Sequence, residues 1–164
     1  MPSHEPSATV IRPYVASDYD GVRALFAQLD GLHRERVPWM FRPPDREPRP
    51  PEHIEKLLSP GDAALLVAVE GNEVLGLITI ALRALPDFPV FLKERRGVID
   101  DLVVSPSQRR RGTATRLLRA AEAWVQRAGA PWLVLNVYDV NVEARAFYEA
   151  AGYAPYSTRL RKPI

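Results

Sequence analysis

The chain has 164 residues, 46% hydrophobic and 26% charged, which suits one domain with a buried core and is too short for two. It has no cysteine, which excludes disulfide scaffolds, thiolate zinc sites, iron–sulfur clusters and cysteine nucleophiles, and no apolar run approaches the ~18–20 residues of a membrane span. With 22 basic against 20 acidic residues the net charge is only +2, which rules out a global nucleic-acid footprint; without an export signal at the start, a soluble cytoplasmic domain is expected.

Residues 1–8 are expected to form a disordered tail, and 9–164 a single domain. Residues 9–13 (TVIRP) read as a short strand. Ser17 followed by Asp20 predicts a capping box, and Val22, Leu25, Phe26 and Leu29 repeat at helical spacing, with Gly31 as the expected stop. A short helical turn is expected over 32–37. Six prolines in residues 38–51 then exclude a regular helix or a central strand, so this stretch reads as an ordered, irregular loop. Pro51 and Glu52 open a short helix ending near Leu58.

Residues 63–69 and 74–82 are apolar runs joined by Gly71-Asn72 and predict a hairpin. Residues 97–104 (GVIDDLVV) predict a third strand in the run, and 105–111 a polar, basic loop. Ala114, Leu117, Leu118, Ala121, Trp124, Val125 and Ala128 define the strongest helix in the chain, ended by Gly129. Residues 132–137 read as a strand, 141–151 as a helix stopped by Gly152, and 153–162 as a closing strand whose edge position allows pairing across a homodimer. Antiparallel strands come first and a β-α-β crossover follows. The fold class is therefore α+β, helices covering a mixed, mostly antiparallel central sheet in α/β/α layers.

The unit that carries chemistry is strand, basic loop, helix. Arg109, Arg110 and Arg111 precede Gly112, Thr113 and Ala114 at a helix N-terminus, where free amides and the positive end of the helix dipole suit an anion such as a pyrophosphate. The Walker pattern GxxxxGK[ST] and the dinucleotide pattern GxGxxG are both absent. Asp100 and Asp101 lie mid-strand in an apolar run, and strand alternation sends one toward a cleft and the other away.

The segment 109–114 resembles the (Gln/Arg)-x-x-Gly-x-(Gly/Ala) signature of the GNAT superfamily of acyl-CoA-dependent N-acyltransferases. A second block, Asn141, Ala144, Phe147, Tyr148, Gly152 and Tyr153, is similar to that family's Asn-x-x-Ala-x-x-Phe-Tyr-x-x-x-Gly-Phe pattern, with Tyr153 in place of the usual Phe. The resemblance spans nearly the whole chain. It implies an acyl-CoA N-acyltransferase fold with a splayed parallel strand pair, and acetyl-CoA as cosubstrate. Leu102, Val103 and Val104 would offer backbone groups to the acyl-pantetheine arm, and Arg109–Ala114 would hold the diphosphate. Asn141 would lie near the same arm, and Tyr148 would occupy the general-acid position. A carboxylate on the strand would serve as base: Asp100 is favoured over Asp101 unless a bulge reverses the alternation. His33, Trp39 and Phe41 are candidates for the acceptor site.

Three histidines, at positions 4, 33 and 53, are too scattered for a metal site. The leading expectation is acetyl transfer from acetyl-CoA to a primary amine, small-molecule or protein. The alternative is an acyl-CoA-binding module without catalysis. Nucleic-acid binding is disfavoured because the arginines sit in one loop without interleaved aromatics.

Overall fold

A computed structural model describes residues 8–164; His4 and most of the expected tail lie outside that range. The elements are β1 (Val10–Pro13), α1 (Tyr19–Arg36), α2 (Pro51–Leu58), β2 (Ala63–Glu70), β3 (Glu73–Ala84), β4 (Arg95–Val104), α3 (Thr113–Arg127), β5 (Leu133–Leu135) and α4 (Val142–Ala150). The strands form one sheet in the order β1-β2-β3-β4-β5, antiparallel throughout except for the parallel pair β4–β5.

Alternation along the strands divides the core in two. Leu65, Val67, Val69, Leu77 and Val103 face α1 and meet Val22, Leu25, Phe26 and Leu29. Leu66, Ala68, Ile78, Ile80 and Ile99 face α3 and meet Leu117, Leu118, Ala121 and Val125. Both helix faces are those the periodicity selects. At Gly97 the α3 layer comes so close that a Cβ would collide with the methyl groups of Val125.

Several local expectations change. Asp18, in a short 3-10 turn before α1, closes the turn instead of Ser17. Its Oδ2 accepts the Val15 N–H at 2.9 Å while its carboxylate accepts from the two terminal Arg12 guanidinium nitrogens at 2.7 and 2.8 Å. Gly31 does not stop α1, which runs on to Arg36 and absorbs the turn expected over 32–37. One interior glycine costs about 1 kcal/mol. The helix is held beyond it by Val37, 1% exposed, whose N–H donates to the His33 carbonyl at 2.8 Å. β5 is shorter than expected, three residues.

The closing strand expected over 153–162 does not form. Tyr156 and Leu160 are exposed, and the segment meets no strand edge to complete a ladder. The edge pairing expected for a homodimer therefore has no strand to carry it among the described residues.

Candidate active site

The site is built where β4 outruns β5. The parallel ladder pairs Gly97, Val98 and Ile99 with Leu133, Val134 and Leu135 and stops, while β4 continues beside β3 to Val104. From Asp100 onward the side of β4 facing β5 is open, the splay the resemblance implies. The Ser105 N–H donates to the Leu75 carbonyl at 2.8 Å, so main-chain alternation turns the groups of Leu102 and Val104 toward the opening and those of Val103 toward β3. Of the three expected backbone partners, Leu102 and Val104 face the gap and Val103 does not. The carbonyl of Val104 already accepts Gln28 Nε2 at 3.2 Å.

A β-bulge decides between the two aspartates. Thr79 pairs with Asp101 and the next residue, Ile80, pairs with Ile99, so Asp100 is the extra residue in β4. Asp100 turns outward and binds Arg83 at 2.6 Å. Asp101 turns inward and accepts the Thr79 hydroxyl at 2.8 Å. The preference for Asp100 is thus overturned by one inserted residue. Burial holds the Asp101 carboxyl above its ordinary range; the Thr79 hydrogen bond and the Arg49 charge oppose this, while Asp100 and Asp30 reinforce it.

Tyr148, on α4, is half-buried between Phe147 and Tyr153, with ring centroids 5.1 and 5.7 Å away. Burial, reinforced by the nearby Asp101 charge, pushes its phenol up to about 12, so it stays protonated at neutral pH. The Tyr153 hydroxyl, the departure from the family pattern, donates to Glu122 Oε1 at 3.0 Å and ties α4 to α3.

Asn141 has a structural task beside the contact with the arm that the resemblance implies. Its Oδ1 caps α4 by accepting the Ala144 N–H at 3.3 Å and also accepts Arg36 Nη1 at 2.7 Å. That oxygen is committed within the protein, joining the end of α1 to the start of the helix that carries Tyr148.

The turn entering α3 has the geometry an anion requires. Gly112 is the left-handed N-cap at φ 77°, and Arg110 is also left-handed at φ 60°. The first turn of α3 contains no acid, and nothing lies within 4 Å of where a Gly112 Cβ would point. Arg109, Arg110 and Arg111 are exposed, and among the described residues none is paired with a carboxylate. Open space, free amides and unpaired guanidinium groups fit a diphosphate.

Opposite β4, the last turns of α1 and the proline-rich loop form the other wall. His33 stacks on Phe41 at 5.0 Å, and Tyr138, from the β5–α4 segment, meets both rings edge-on at 5.9 Å. Trp39 is not part of this group: it is half-exposed and lies under the Arg161 guanidinium at 4.1 Å. Burial lowers the His33 pKa, against the pull of the nearby Asp30 and Asp101 carboxylates. Arg49 anchors the loop by binding Asp30 at 2.7 and 3.1 Å and lying 4.3 Å over Phe26. Sequence reasoning missed Arg36, Arg49, Tyr138 and Thr79. Only Thr79, a lone hydroxyl in an apolar strand, carries a local signal. No group of metal-ligating side chains is present among the described residues, and no helix among them is long and apolar enough to cross a membrane.

The model of the acetyltransferase (GNAT) family matches residues 29–153. A curated relative, the uncharacterized N-acetyltransferase YhfO of Bacillus subtilis (strain 168), is 33% identical over 92 residues, or 56% of this chain; the match spans 59% of that protein's length. Among solved structures, a tetramutant of the BH1408 protein from Bacillus halodurans superposes with a TM-score of 0.86 at 23% identity, covering 94% of this chain and 99% of that one. The aminoglycoside N-acetyltransferase AAC(6')-Iy in complex with CoA gives a TM-score of 0.69 at 18% identity, covering 94% and 100%. These two likenesses show the shared fold. The family match, extending from the last part of α1 to Tyr153 and containing the α3 turn, Asp101 and Tyr148, establishes that the chain belongs to the GNAT acetyltransferase family.

Proposed function

We propose that the chain transfers an acetyl group from acetyl-CoA to a primary amine. The observation that carries this reading is that the bulge turns Asp101 inward where β4 outruns β5, near enough for its charge to reach Tyr148 on α4, one strand end away from a turn suited to a diphosphate. Acetyl-CoA supplies the thioester and the anion. Arg109, Arg110 and Arg111, with the amides of Gly112, Thr113 and Ala114, hold the diphosphate, and the free N–H of Leu102 or Val104 donates to the thioester oxygen as charge develops there.

An amine of pKa about 10 is mostly protonated at pH 7, so attack requires a proton acceptor. Asp101, inside the cleft with a raised pKa, takes the proton that the amine nitrogen sheds as the C–N bond forms. When the C–S bond breaks, the departing thiolate meets the Tyr148 hydroxyl. A thiol near pKa ~8.5 is a stronger acid than a phenol at about 12, so Tyr148 acts mainly by donating a hydrogen bond to the sulfur, and solvent completes the protonation.

The test is release of free thiol from acetyl-CoA in the presence of a panel of primary amines. Tyr148→Phe is expected to lower kcat about 100-fold and to leave acetyl-CoA affinity within about twofold. Normal turnover by this variant contradicts the role of the phenol. Acetyl-CoA binding without thiol release for any amine favours the non-catalytic alternative.

A further inference from the structure

The acceptor wall has two properties that together select an amine class. The first is its aromatic surface. Phe41 and Tyr138 come from segments nearly a hundred residues apart and meet edge-on beside His33, and Tyr138 is 36% exposed, so ring surface remains open to a guest. The Tyr138 hydroxyl donates to Met40 Sδ at 3.2 Å, on the exposed side of the cluster. The remaining ring face is apolar.

The second is the charge pattern. Asp101 is the only carboxylate on the cleft side of β4, and no arginine binds it. Three further acids on the elements around the cleft have a guanidinium partner: Asp30 with Arg49 at 2.7 Å, Glu143 with Arg36 at 3.7 Å, and Asp139 with Arg145 at 3.3 Å. Glu35, two residues along α1 from His33, points to the opposite side of the helix and is exposed. A single ammonium group is matched by Asp101. A second or third would find acids that already hold a guanidinium group and would approach Arg36 and Arg49.

We propose that the acceptor is a monoamine carried on a flat aromatic body, an arylalkylamine in chemical class, whose ring packs on Phe41 and Tyr138 while its nitrogen reaches Asp101. This rests on the acetyl-transfer reading and narrows it. It sets the chain apart from acetyltransferases of polycations such as the aminoglycoside enzymes that share its fold.

The experiment compares phenethylamine, n-butylamine, spermidine and kanamycin as acceptors for the full chain with saturating acetyl-CoA, following thiol release. Phenethylamine is expected to exceed each of the others in kcat/KM by about tenfold or more. In Phe41→Ala and Tyr138→Ala, KM for phenethylamine should rise about tenfold, and by more than KM for n-butylamine, with acetyl-CoA affinity unchanged. Calorimetric titration of phenethylamine into the CoA-loaded protein gives a readout independent of turnover, and its heat should fall in both variants. Preference for spermidine or kanamycin overturns the arylalkylamine assignment and leaves acetyl transfer standing. Failure to bind acetyl-CoA overturns both.

Discussion

Asp101 and Asp100 are adjacent in sequence and opposite in circumstance, and the difference is one β-bulge. Simple alternation favours Asp100, because no signal in GVIDDLVV marks where an extra residue enters the ladder with β3. Tyr148 and Gly112, by contrast, were legible because each sits in a motif whose spacing fixes its place on a helix. Asn141 is legible as a motif residue, whereas its tie to α1 is not, since its partner Arg36 is remote in sequence. The environment of Asp101 predicts how stability depends on pH. Its folded pKa is raised, so the native state holds the proton more tightly than the unfolded chain, and stability is lost as pH rises through the window above the ordinary carboxylate value. Asp101→Asn, whose amide oxygen can still accept the Thr79 hydroxyl, should therefore raise Tm relative to the parent at pH 7 and not at pH 4, while abolishing the acidic limb of the kcat/KM profile. An equal Tm change at both pH values would contradict the raised pKa.

At the scale of elements, α1 meets α4 and the segment leading into it through three contacts: the Arg36–Asn141 hydrogen bond, the Arg36–Glu143 ion pair and the His33–Tyr138 ring pair. Loss of the Asn141 side chain removes a helix cap and one of these ties. Asn141→Ala should cost about 1 kcal/mol in denaturant unfolding and lower kcat more than it raises the KM for acetyl-CoA; an unchanged kcat would separate α4 placement from catalysis. The helices and the hairpin were largely legible because apolar periodicity and turn residues agree along them. The closing strand expected over 153–162 does not form, because a strand needs a partner edge as well as a permissive sequence. Gly31 misled for the converse reason: a helix-breaking residue was outweighed by the burial of Val37 one and a half turns later.

Across the whole molecule, one sheet separates two apolar clusters. The Arg12–Asp18 pair ties β1 to the start of α1, with Asp18 only 6% exposed. The Arg12 hydrogen bond holds the Asp18 pKa below its ordinary value, so this contribution is present at neutral pH and is lost as pH falls through the depressed pKa. Asp18→Asn should destabilise the fold by about 2 kcal/mol at pH 7 and by less under acid conditions, read from urea midpoints. The same architecture leaves β4 free of β5 beyond Ile99 and sets the α3 turn at its end, so the fold and the ligand cradle follow from one sheet irregularity. The most direct measurement is calorimetric titration of acetyl-CoA into the parent protein and into Gly112→Glu. Binding by the parent that weakens with added salt, and its loss in the variant while the variant still melts cooperatively, at a Tm somewhat lowered by the left-handed backbone at position 112, is the predicted result. Equal affinity in the two proteins would contradict the assignment of the diphosphate to the turn entering α3.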